Sequence, residues 1–162
     1  MVGSDPERTM STVLEAVRLA DVRAVIASGW GGMKHAGLSD RVYALESIPH
    51  EWLFPRVAGA VHHGGAGTTA ATLRAGVPSV VVPYFYDQFF WARRLQSLGV
   101  APAPTPQKHL TAACLAQSIR FLTETPEAAR RAQEISQAIA REDGVKNAVS
   151  VVERYLASVG VK

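Results

Sequence analysis

Three observations in the sequence predict a doubly wound α/β fold, a parallel sheet flanked by helices. Short apolar runs alternate with helix-like segments along most of the chain, the pattern of buried strands joined by crossover helices. A glycine-rich stretch, Gly64-Gly65-Ala66-Gly67, follows one of these runs and opens a helix. The composition is 48% hydrophobic and 19% charged, which belongs to a globular chain and not to a disordered one. At 162 residues the chain suits one domain, 1–162, large enough for its own core.

Asp5-Pro6-Glu7 starts a first helix, with Asp as cap and Pro in the first turn, and Met10, Val13, Leu14 and Val17 follow at helical spacing. Val22–Ala27 reads as a buried strand, Val42–Leu45 as a second, Gly59–His63 as a third and Ser79–Pro83 as a fourth. Thr68–Ala75 is a small-residue helix closed by Gly76 and followed by Pro78. Gln88–Leu98 is a helix ended by Gly99, and the proline-rich stretch 101–108 is a loop or edge strand. Beyond it the chain turns helical. Val145, Ala148, Val149, Val152, Leu156 and Val159 define an amphipathic C-terminal helix. In such a fold the ligand is expected at the carboxyl ends of the strands.

Several function classes are excluded at this level. The net charge of +3 is compatible with an anionic ligand, but no stretch concentrates Lys and Arg with interleaved aromatics, so no nucleic acid is expected. The single cysteine, Cys114, rules out an internal disulfide framework and a multi-Cys zinc site, and its place in an apolar helix reads as core. The apolar runs are far too short for a transmembrane segment, and no signal peptide is apparent, so a cytoplasmic location is expected, with peripheral membrane attachment through another domain left open.

The chemistry concentrates in Val61-His62-His63-Gly64-Gly65-Ala66-Gly67-Thr68-Thr69. Glycines let the backbone approach a ligand closely, and the first turn of a helix presents unpaired N–H groups that favour an anion such as a pyrophosphate. A histidine beside them can donate to a phosphate oxygen, and the threonine hydroxyls offer further donors. A P-loop is excluded, because no lysine lies between Lys34 and Lys108. A dinucleotide fingerprint is only nominally met: position 70 is Ala, and the acidic residue about twenty positions on is Asp87, in an aromatic loop. The same stretch is also compatible with a glycine turn and paired histidines that serve packing alone.

At these residues the sequence resembles a known family. His62-His63-Gly64-Gly65-Ala66-Gly67-Thr68-Thr69, then Arg74-Ala75-Gly76-Val77-Pro78, then Pro83 through Ala92 (Pro-Tyr-Phe-Tyr-Asp-Gln-Phe-Phe-Trp-Ala) is similar to the donor signature of inverting GT-B glycosyltransferases. Ser47–Pro55 (Ser-Ile-Pro-His-Glu-Trp-Leu-Phe-Pro) resembles the sterol glucosyltransferase branch in particular. The resemblance implies a Rossmann-like C-terminal domain that binds UDP-glucose or a related nucleotide sugar, with no metal and no cofactor; no Asp-x-Asp metal site is present. It implies that His63 contacts the donor phosphates and that Gly65, Gly67 and Thr68 hold the diphosphate. Asp87 and Gln88 would hydrogen-bond the sugar hydroxyls, Ile48 and Pro49 would meet the uracil edge, and Ser28, Gly29 and Trp30 would line the donor site. Two positions depart from the plant members: Ser47 stands where they have Trp, and Ala71 where they have a ribose-binding Glu.

The resemblance also implies that the acceptor-binding N-terminal domain, with its catalytic base, is absent from this chain. It further implies that the first strand of the sheet, which precedes Val2-Gly3-Ser4, is absent too. The expectation is a fragment, a split enzyme completed by a separate subunit, or a self-pairing dimer. The function expected is the donor-binding half of an inverting, metal-independent glycosyltransferase that transfers a hexose to a hydroxyl of a lipophilic acceptor such as a sterol. The alternative from another class is a non-catalytic nucleotide-sugar-binding module or regulatory partner subunit.

Overall fold

The computed structural model describes residues 6–27 and 39–160. Helix α1 (Pro6–Ala20) leads through a tight turn at Asp21, where φ is +56°, into strand β1 (Ala24–Ala27). Strand β2 (Val42–Leu45) follows, then a short helix α2 (His50–Leu53), continued as a 3-10 turn over Phe54–Arg56. Strand β3 (Ala60–His62), helix α3 (Ala66–Ala75), strand β4 (Ser79–Val81) and helix α4 (Gln88–Ser97) come next. Helices α5 (Ala112–Glu124), α6 (Pro126–Ala140) and α7 (Gly144–Ser158) complete the chain. The predicted cap at Asp5 lies outside the described residues.

Strand β4 shows how the layers form. All three of its residues are buried, and successive side chains of a strand point to opposite faces. Val80 and, just beyond the strand, Val82 pack with Ala16 and Ala20 of α1 and Leu115, Ala116, Ile119 and Leu122 of α5. Val81 points the other way, toward Ala92 and Leu95 of α4 and Ala132 of α6. Helices therefore cover both faces, as a parallel sheet requires. A third cluster joins Phe54, Ala60 and Val77, with Ala71 and Ala75 of α3 packed against it.

The sheet is interrupted. β1 pairs with β2, Ala24 opposite Val42, and β3 pairs with β4, Ala60 opposite Ser79; both pairs are parallel. Among the described residues the two pairs are separate sheets. In the doubly wound order 3-2-1-4-5, the pairs correspond to strands 3-2 and 4-5, and the break falls where strand 1 would lie. Val25 of β1 and Val61 of β3 are correspondingly exposed, although they are apolar strand residues.

Helix boundaries follow local capping. Thr111 caps α5, its Oγ1 accepting from the Cys114 N–H at 3.2 Å. Thr111→Ala is expected to lower stability by about 1 kcal/mol, read as a shifted urea midpoint with unchanged slope. Cys114 is half-buried, with its sulfur 3.3 Å from Thr105 Oγ1, rather than fully in the core. Gly76, at φ +69°, ends α3, and the Ser136 hydroxyl donates to the Arg74 carbonyl there. Helix α7 has the predicted apolar stripe, yet none of its residues is buried.

Candidate functional site

The residues after β3 form a tight turn into α3. The helix begins at Ala66, two residues earlier than the sequence pattern suggested, with Gly65 as its N-cap. Gly67 and Thr68 are therefore in the first helical turn and not in a loop before it. No side chain caps this end, and among the described residues no hydrogen bond engages the N–H of Ala66, Gly67 or Thr68. Ala66 and Gly67 are exposed. The outcome is an open helix N-terminus, where aligned N–H groups and the dipole present positive potential.

The two histidines separate in role. His62 turns inward, and its Nδ1 accepts the Gly64 N–H at 3.0 Å. Burial, with smaller contributions from His63 and His50, pushes its pKa down to about 4. His63 turns toward the helix mouth: a Cβ placed on Gly65 would lie 2.5 Å from His63 Nε2. Burial holds the His63 pKa below the ordinary imidazole value, and the carboxylate of Asp87 acts in the opposite direction. His63 is thus a neutral donor in the free protein, placed where a bound anion would favour its charged form.

Asp87 and Gln88 reach the same place through Gly64. That glycine, at φ +91°, sits so close to the start of α4 that an added Cβ would lie 3.0 Å from the Gln88 carbonyl oxygen. Asp87 is exposed and its Oδ2 accepts from Trp91 Nε1 at 3.2 Å. Gln88 is 2% exposed, and its Oε1 accepts the N–H groups of Tyr84 and Phe85 at 2.8 and 3.3 Å. The amide oxygen thus holds the 84–87 loop in shape, and the neighbouring Asp87 is exposed. Tyr86, just before them in the loop, is held at φ +51° with 87% exposure, a conformation that strains a residue with a side chain.

Ile48 is half-buried and Pro49 is the N-cap of α2. The segment that follows them packs on α3, with Leu53 and Phe54 in one cluster with Ala71 and Ala75. The His50 ring stacks on Phe54 at 4.6 Å, and the Arg56 guanidinium lies 4.5 Å from the Trp52 ring centre. His63, Gly65, Gly67, Thr68, Asp87 and Gln88 are therefore brought to one place, and Ile48 and Pro49 lead into the segment that packs on α3. Ser28, Gly29 and Trp30 lie outside the described residues. The close approach of Gly64 to α4 and the hydrogen bond from its N–H to His62 were not read from the sequence, where only the double His and double Gly hinted at them.

This is the architecture of the Rossmann-like C-terminal domain of GT-B glycosyltransferases. A solved structure of the kitacinnamycin glycosyltransferase superposes on 95% of this chain with a TM-score of 0.83 at 24% identity, the chain covering 41% of it. The glycosyltransferase VinC, solved in complex with DTDP, superposes on 90% with a TM-score of 0.74 at 28% identity, the chain covering 38% of it. Residues 11–153 match the erythromycin biosynthesis protein CIII-like C-terminal domain, and the chain belongs to that family. A sterol 3-beta-glucosyltransferase of Arabidopsis thaliana is 42% identical over 154 residues, 94% of this chain. The chain spans only 25% of the length of that relative. Among the described residues no helix is long and apolar enough to cross a membrane.

Proposed function

We propose that the chain is the donor-binding part of an inverting glycosyltransferase that moves a hexose, glucose in the first instance, from a UDP-sugar to a hydroxyl of a lipophilic acceptor such as a sterol. The observation that carries this reading is the convergence of His63, the open N-terminus of α3 and the outward carboxylate of Asp87. The diphosphate would lie against the N–H groups of the first turn of α3 and the imidazole of His63, and the Asp87 carboxylate would accept from sugar hydroxyls. As the glycosidic bond breaks, charge develops on the departing diphosphate, and these donors stabilise it without a metal. The acceptor hydroxyl approaches the opposite face of the anomeric carbon, so the centre inverts. The base that removes its proton belongs to the acceptor-binding portion, which corresponds to the part of the longer relatives that this chain does not span. The sterol relative supports the acceptor class.

Calorimetric titration of the chain with UDP, UDP-glucose, dTDP and NAD tests the reading. Saturable binding of UDP and UDP-glucose in preference to NAD is expected. Preference for dTDP would move the donor to a deoxythymidine sugar. A folded chain that binds none of them would overturn the assignment to this surface.

A further inference from the structure

His62 has no part in the donor contacts proposed above, yet it is the most deeply placed imidazole of the site. Its Nδ1 accepts the Gly64 N–H at 3.0 Å, so the ring proton sits on Nε2. That Nε2–H is buried without a hydrogen-bond partner among the described residues. A side chain selected for packing alone would not bury an unpaired donor, which costs free energy. What an imidazole contributes here, and an apolar residue does not, is the acceptor facing Gly64. We infer that His62 is a positioning residue, whose bare Nδ1 fixes the Gly64 peptide in its left-handed conformation and so aims the first-turn N–H groups of α3 and the His63 ring at the ligand.

The site stays neutral for this task. His63 of the same turn and His50 of α2 both disfavour a charge on His62, and burial does so more strongly; the Asp87 carboxylate, at the start of α4, favours a charge on His63. The acceptor is therefore present from about pH 5 upward.

The inference rests on the proposed donor site, so its test has an arm that needs no ligand. In the unmutated chain, long-range 15N–1H spectra at neutral pH are expected to show His62 with a protonated Nε2 and an unprotonated Nδ1. A proton on Nδ1 would overturn the inference whether or not nucleotides bind. The second arm compares His62→Asn, whose Oδ1 can stand in for Nδ1, with His62→Leu, which keeps the bulk and loses the acceptor. The Gly64 amide resonance is expected to stay near its original position in the Asn variant and move in the Leu variant. UDP-glucose affinity should fall about tenfold in the Leu variant and stay within about threefold in the Asn variant. Equal affinity in the Leu variant and the unmutated chain overturns the positioning role. If the unmutated chain binds no nucleotide while the spectra show a bare Nδ1 and a Leu-specific amide shift, the donor assignment fails and the His62–Gly64 device stands.

Discussion

Gly64→Ala is expected to lower the stability of the chain by about 3 kcal/mol, from two costs that act together. The backbone at Gly64 has φ +91°, where a Cβ meets its own carbonyl neighbours at about 1–2 kcal/mol. The new methyl would also lie 2.7 Å from Val81 Cγ1 and 3.0 Å from the Gln88 carbonyl oxygen. Val81 is 2% exposed and locked in the cluster with Ala92, Leu95 and Ala132, so it has little room to move; overpacking of this kind costs about 1–3 kcal/mol. A domain of this size has about 5–15 kcal/mol in total, so the urea midpoint should drop sharply. Gly65→Ala is the internal comparison. Gly65 has an ordinary φ of −63°, and the atoms nearest its added Cβ would be those of the His63 ring, the swinging end of a half-buried side chain. It should leave the midpoint almost unchanged while displacing His63. Equal midpoints for Gly64→Ala and the unmutated chain would show that the turn does not press against Val81 and Gln88.

The layered fold was legible because it depends on patterns that sequence carries directly. The apolar run Ser79–Pro83, set between helical patterns, read as a buried strand, and the spacing of Met10 and Val17 marked the inner side of α1. The break between β1 and β3 was legible only indirectly, through the resemblance, because pairing between strands distant in sequence leaves no local trace. Gly65 and Gly67 stood out as glycines, yet the glycine with the structural constraint is Gly64, since φ and close approach are properties of the folded turn. Gln88 reads as a sugar ligand beside Asp87 in sequence. In the structure its Oε1 is engaged by Tyr84 and Phe85, because Gln88 stands on the same inward face of α4 as Ala92 and Leu95. The short helix over His50–Leu53 was not anticipated either. Its four residues are too few to show a period, and it is held by tertiary packing of Leu53 and Phe54.

Removing His63 and blocking Gly67 should each weaken nucleotide binding without weakening the fold, and this pair separates a ligand site from a packing turn. His63 is half-buried and its ring makes no hydrogen bond among the described residues, so His63→Ala removes little that the folded chain uses. A hydrogen bond to a charged phosphate is worth about 1.5–3 kcal/mol, so UDP-glucose affinity should fall roughly 10- to 100-fold. At Gly67 a Cβ would meet nothing within 4 Å. Nothing in the protein itself therefore demands glycine there, and Gly67→Ala should be neutral or stabilising by about 0.5 kcal/mol through helix propensity. The added methyl stands on the open first turn of α3, in the space a diphosphate would occupy, so affinity should fall by about tenfold or more. Loss in His63→Ala with none in Gly67→Ala would place the diphosphate on the histidine side of the turn, clear of the second helical residue. Unchanged affinity in both variants, with binding intact in the parent chain, would move the donor site away from this helix altogether and leave the glycine-rich turn as packing between β3, α3 and α4.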